Sequence, residues 1–193
     1  MDFITVVSGL PRSGTSLMMQ MLAAGGLPPL TDNVRAADED NPRGYLEFEP
    51  VKRTRQDPSW VPTAIDKCVK MVYLLLRDLP PNHNYRVILM RRDLIEVLAS
   101  QDAMLRRSGK LGGNLPPDRM AALYNGQLSQ ITEWLARQPN FSLLEVQHRD
   151  CLYRTAETAS AINTFLGGRL DEPRMIAAID PALHRNRRPQ PEP

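Results

Sequence analysis

The chain has 193 residues, with 24 Lys+Arg against 22 Asp+Glu and a formal net charge of +2. The last ten residues carry three arginines and one glutamate, so residues 1–183 balance at 21 basic against 21 acidic side chains. That balance leaves no field for nonspecific attraction to nucleic acid or anionic lipid, and any anion chemistry has to come from a few placed residues.

Residues 3–8 form a short β-branched run ended by Gly9, the pattern of a buried strand. Residues 14–24 follow as a helix, with Leu17, Met18, Met21 and Leu22 at helical spacing and Gly25-Gly26 as its stop. Residues 27–62 are polar and proline-punctuated, and eight of the 17 prolines fall between Pro28 and Pro81. A long loop with at most short elements is expected there, of the kind that compact domains keep for binding. Residues 68–76 read as a strand passing into a helix that ends before Pro80-Pro81, and residues 85–90 as the second clear strand.

Residues 93–107 read as a helix with Asp93 as N-cap, and residues 118–138 as a longer one. A strand at 141–146 and helices at 155–166 and 172–179 complete the pattern. Strands alternating with helices define an α/β class, a parallel sheet with right-handed crossovers and helices on both faces. The expected organisation is one domain over residues 1–184 and a flexible Arg/Pro tail over 185–193. Hydrophobic residues make up 42% of the chain, enough for its core. Cys68 and Cys151 sit in apolar stretches without disulfide or metal spacing, as buried thiols do. No apolar run reaches the ~18 residues of a membrane span. The N-terminus enters the first strand with no signal-peptide pattern, so a cytoplasmic protein is expected.

The junction Gly9-Leu10-Pro11-Arg12-Ser13-Gly14-Thr15-Ser16 carries the chemistry. Its two glycines have the outer spacing of a P-loop, and backbone N–H groups at a helix N-terminus cradle phosphate-like oxygens. Thr15 stands where a nucleotide kinase has its lysine, and Arg12 supplies the cation earlier in the loop.

Pro11-Arg12-Ser13-Gly14-Thr15-Ser16 resembles the 5′-phosphosulfate loop of the sulfotransferases, usually Pro-[Lys/Arg]-Ser-Gly-Thr-[Thr/Ser]. A second segment of that family is similar to Arg92-Asp93-Leu94-Ile95-Glu96-Val97-Leu98-Ala99-Ser100. Its arginine and serine, eight residues apart after a strand, bind the donor's 3′-phosphate; Arg91 is an alternative that the spacing disfavours. Asn41-Pro42-Arg43-Gly44-Tyr45-Leu46-Glu47, Val69-Lys70-Met71-Val72 and Phe165-Leu166-Gly167 are similar to bacterial members.

The resemblance implies a P-loop-NTPase-like sulfotransferase fold, with 3′-phosphoadenosine 5′-phosphosulfate (PAPS) as donor and 3′,5′-ADP (PAP) as product. It implies Arg12, Ser13, Gly14, Thr15 and Ser16 at the 5′-phosphosulfate, Arg92 and Ser100 at the 3′-phosphate, and Lys70 near the transferred group. The family's Gly-x-x-Gly-x-x-Lys segment is absent, which leaves Arg185, Arg187 and Arg188 of the tail as candidates for a third 3′-phosphate contact.

Sulfuryl transfer needs an in-line acceptor oxygen or nitrogen, a base for its proton and cations for the leaving oxygen. A sulfuryl group carries less negative charge than a phosphoryl group, so no metal is expected. Relatives place a glutamate base in the region after the first helix. Glu47 is the first candidate and Glu49 the second, with Asp38, Glu39 and Asp40 behind and His148 an alternative. His83 and His184 do not sit where the resemblance places a base. If residues 44–49 are extended, Leu46 and Phe48 share one face while Glu47 and Glu49 share the other. Acceptor specificity is expected in residues 27–62 and 108–120. The rival readings are a small P-loop kinase and a non-catalytic nucleotide-binding protein.

Overall fold

A computed structural model describes residues 2–32, 34–35, 44–109 and 115–180. Four strands, β1 (Ile4–Gly9), β2 (Cys68–Val72), β3 (Tyr85–Arg91) and β4 (Phe141–Gln147), form one sheet in the order β2-β1-β3-β4. All three pairings are parallel, with Val6 opposite Val69 on one side and Val87 on the other, and Val87 in turn opposite Leu143. Burial on both faces explains why β1 reads as a continuous apolar run instead of an alternating one.

The helices are α1 (Thr15–Ala24), α2 (Leu94–Arg107), α3 (Pro117–Ala136), α4 (His148–Tyr153), α5 (Thr155–Phe165) and α6 (Glu172–Ala177). They divide between the two faces. Ile4, Val6, Val87 and Leu89 pack with Val97 of α2 and Leu128, Ile131 and Leu135 of α3. Val7, Ile88 and Met90 pack instead with Met18, Met21 and Leu22 of α1, Ile162 of α5 and Met175 of α6. The result is the expected three-layer α/β architecture.

Asp93 caps α2 as its position suggested, its Oδ1 accepting from the N–H groups of Ile95 (2.8 Å) and Glu96 (3.2 Å). Asp93→Ala is expected to cost about 1 kcal/mol, read as a lower urea midpoint at unchanged slope.

Two elements differ from the sequence reading. The segment after β2 is a 3₁₀ helix, Tyr73–Asp78, which stops ahead of Pro80-Pro81, where no backbone N–H is available to continue it. The short α4 was not anticipated; β4 runs into it without turn residues, at Gln147-His148. Among the described residues of the 27–62 stretch, the helical elements are two 3₁₀ helices, Glu49–Arg53 and Val61–Ala64, the second running just past its end; each is opened by a proline in its first turn. Cys68 and Cys151 are both buried thiols, and burial pushes each up to about 12, which keeps them protonated and unreactive. The tail 185–193 lies outside the described residues. Among the described residues, no helix is long and apolar enough to cross a membrane.

Candidate functional site

A cavity of about 420 Å³ opens at the C-terminal ends of β1 and β2, the edge where parallel α/β sheets place their ligands. The loop from Gly9 to Ser16 forms its floor. Gly9 and Gly14 occupy backbone positions that a side chain would obstruct. At Gly14, φ is 100° and a Cβ would lie 2.5 Å from His148 Cδ2. At Gly9 a Cβ would lie 2.5 Å from Ser13 Oγ and 2.9 Å from the Met90 carbonyl oxygen. Gly14 is also the N-cap of α1, so the first-turn amides and the positive end of the helix dipole face this region.

Arg12, Gly14, Thr15 and Ser16 line the cavity, as do Glu47, Lys70, Arg92 and His148. Arg12 has a left-handed backbone, φ 74°, and its Nε donates to Ser100 Oγ at 2.9 Å. Arg92 Nη1 donates to the Arg12 carbonyl oxygen (3.2 Å), and Arg92 Nε pairs with Glu96 Oε2 (3.0 Å). Ser100 does not itself line the cavity; it is 1% exposed and meets the site through Arg12. Ser13 is also buried, and its hydroxyl has no hydrogen-bond partner among the described residues. Residues that are 88 apart in sequence are thus joined in one basic corner.

Across the cavity, Lys70 Nζ lies 3.3 Å from Ser16 Oγ and 3.2 Å from Glu47 Oε1, and also donates to the Tyr45 carbonyl oxygen. Burial depresses the Lys70 pKa, the Glu47 carboxylate opposes that, and the charges of Arg35 and Arg12 add to the depression. Arg35 Nη1 meets the same Glu47 oxygen at 3.1 Å, while its guanidinium covers the Tyr45 ring 3.4 Å from the ring centre. Both cations hold Oε1. Among the described residues, the hydrogen bond to this carboxylate falls on Oε1 and none falls on Oε2.

The other base candidates separate clearly. Glu49 does not line the cavity; it opens the 3₁₀ helix Glu49–Arg53 and pairs with Lys52 at 2.6 Å. The expected alternation over residues 44–49 fails because Leu46 is left-handed, with φ 50°. That kink sends Leu46 into the cluster under α1 and Phe48 into the opposite cluster, so the two share no face. His148 is 7% exposed, against the floor of the cavity at Gly14. The carbonyl of His83 accepts from Asn140 Nδ2 beside the N-terminal ends of β3 and β4, at the far edge of the sheet. Asp38, Glu39, Asp40, His184 and the tail arginines lie outside the described residues.

Arg35, Thr31 and Asp32 also belong to the site, and nothing in the sequence singles them out. Thr31 Oγ1 (2.9 Å) and the Asp32 N–H (3.3 Å) both donate to the Glu47 carbonyl oxygen. Among the described residues, no group of three or more His, Cys, Asp or Glu side chains converges as a metal site would.

No family model and no curated protein matches the chain in sequence. Among solved structures, the chain is similar to a sulfotransferase domain from the curacin biosynthetic pathway. The TM-score is 0.56 at 15% identity, over 99% of this chain and 93% of that one. It is also similar to retinol dehydratase, solved in complex with androsterone and the inactive cofactor PAP. That match has a TM-score of 0.52 at 16% identity, over 94% of this chain and 64% of that one. The chain therefore has a sulfotransferase-like fold.

Proposed function

We propose that this protein is a PAPS-dependent sulfotransferase acting on a hydroxyl or amine acceptor. The observation that carries this reading is the convergence of Arg12 and Arg92 beside a glycine-lined helix N-terminus, in one cavity with Glu47 and Lys70, with buried Ser100 bonded to Arg12. The residues present suit the donor. Its anionic ends call for amides and cations, and the site offers the α1 N-terminus, two arginines and a lysine, beside the buried hydroxyl of Ser13, which has no hydrogen-bond partner among the described residues.

In this reading Ser13, Gly14, Thr15 and Ser16 hold the 5′-phosphosulfate, and Arg12, Arg92 and Ser100 form the basic corner. Bound there, PAPS supplies a sulfuryl group with a phosphate oxygen as leaving group. Glu47 takes the acceptor's proton at Oε2 while Oε1 stays pinned by Arg35 and Lys70. Lys70, between Ser16 and Glu47, provides positive charge where the leaving oxygen develops negative charge. Two unpaired thiols suit the cytoplasm.

Calorimetry tests the reading. PAP is expected to bind and Mg-ATP not to. Arg92→Ala is expected to weaken PAP by roughly 10- to 100-fold, the range of one charge-assisted hydrogen bond. Preference for Mg-ATP, or indifference to Arg92→Ala, overturns it and returns the kinase or a non-catalytic binding protein as the better account.

A further inference from the structure

The cavity has a side that the donor does not account for. Gly9, where the glycine loop begins, lies in register between Met90 of β3 and Val72 at the end of β2. Arg92 follows β3, so a donor held between the loop and Arg92 leaves the β2 side to the acceptor. Glu47 and Lys70 stand on that side, 3.2 Å apart. Beyond them the wall is apolar. Phe48 and Val51 come from the Glu49–Arg53 helix and the residue that caps it, Val72 from the end of β2, and Leu75 from the 3₁₀ helix after it.

This wall is braced from behind. The Phe48 ring meets the Trp60 ring edge to face, with centroids 5.9 Å apart and planes at 72°. Trp60 is buried, and its Nε1 donates to Thr54 Oγ1 at 3.2 Å; the Thr54 hydroxyl in turn donates to the Val51 carbonyl oxygen at 2.7 Å. The polar groups behind the wall are thus paired with one another, and Lys52 at the rim is paired with Glu49. Val72 is still 39% exposed, apolar surface whose covering is favourable. The side chains of Phe48, Val51, Val72 and Leu75 carry no hydrogen-bonding groups. A sugar or polyol laid on them would strand its hydroxyls, whereas a hydrocarbon body gains by burial there.

We infer that the acceptor is an alcohol with an apolar body, not a sugar or polyol, and that Phe48, braced by Trp60, is the residue that selects it. This inference rests on the sulfotransferase reading above and names the substrate class of that site. The alcohol oxygen bonds to the sulfuryl sulfur as that sulfur's bond to the PAP phosphate oxygen breaks, and the hydroxyl proton goes to Glu47. The product is a sulfate monoester of an apolar alcohol.

The experiment compares cyclohexanol with myo-inositol, which share a carbon ring and differ in the hydroxyls it carries. Saturation-transfer NMR on the PAP-loaded protein reads binding, and PAP release from PAPS reads turnover. In wild type, saturation transfer is expected to cyclohexanol and not to inositol. The kcat/KM ratio is expected to favour cyclohexanol by at least about 100-fold, the cost of stranding two or more hydroxyls. Phe48→Ser is expected to lower that ratio by roughly 10- to 100-fold, through the KM for cyclohexanol, with PAP affinity within about twofold. Val72→Thr keeps the shape of a partly exposed side chain and is expected to lower the ratio by about three- to tenfold, so it decides should Phe48→Ser not fold. In a wild type that binds PAP, equal treatment of the two alcohols or a preference for inositol overturns the inference and leaves the donor reading standing. A ratio unchanged in both variants overturns the role of Phe48 and its wall. If PAP binds and neither alcohol is turned over, the NMR comparison decides by the same criterion. Failure to bind PAP at all overturns the donor reading itself, a result visible before any acceptor is added.

Discussion

Replacing Gly14 by alanine is expected to destabilise the protein by about 3 kcal/mol and to lower PAP affinity by at least about 100-fold. Two independent costs combine. A φ of 100° is strained for any residue with a Cβ, at roughly 1–3 kcal/mol. The new methyl would also lie 2.5 Å from His148 Cδ2, and forcing a buried ring aside costs roughly 1–3 kcal/mol. Either response, a shifted ring or a shifted loop, moves the amides that open α1, and a displacement of ~1 Å suffices to ruin a positioned site. Urea unfolding measures the stability term. The pair Gly14→Ala and His148→Ala separates the two costs: removing the ring relieves the steric part and leaves the backbone part, so a coupling of about 1 kcal/mol or more is expected. A Gly14→Ala protein within about 0.5 kcal/mol of wild type would mean that the loop is more pliant than its packing indicates.

Glu47→Gln is expected to lower kcat by roughly 10²- to 10⁴-fold while PAP affinity stays within a few-fold, because glutamine keeps the shape and hydrogen bonding but cannot take the proton. Turnover is read as PAP release with an acceptor found in a panel of alcohols and amines. The carboxylate is well positioned for this work. Its backbone carbonyl is held by Thr31 and Asp32, and the Asp32 carboxylate accepts the Glu49 N–H at 2.6 Å. That last bond is the main reason the Asp32 carboxyl titrates below its ordinary range. Arg35 and Lys70 then hold Oε1. A variant that keeps wild-type turnover would move the proton-accepting role to His148, which lines the same cavity.

The parts of this fold that were legible in the sequence are those set by neighbours along the chain. The β-branched run before Gly9 had to be a strand, and the glycine-limited helix after it had to start near Gly14. Asp93 could be named as a cap because a cap acts within three residues of itself. The alternation proposed for residues 44–49 failed for the complementary reason. It assumed an extended backbone, and one left-handed residue, Leu46, reassigned every side chain around it.

The α/β class and the glycine loop at the first strand-to-helix junction were legible along the chain, and the family resemblance singled out Arg92 and Ser100 on the next such segment. The first two follow from backbone propensity and helical spacing, both short-range properties. Only the tertiary structure decided which charges meet. Arg12 reaches Ser100 across 88 residues, Lys70 reaches Ser16 across 54, and the ring of His148 closes on Gly14. Those meetings are set by the strand order β2-β1-β3-β4. That order places the ends of β2 and β3 on either side of β1, so the loop after β1 lies between Lys70 and Arg92. Side-chain chemistry was present in the sequence; the partner of each side chain was a consequence of how the sheet assembled.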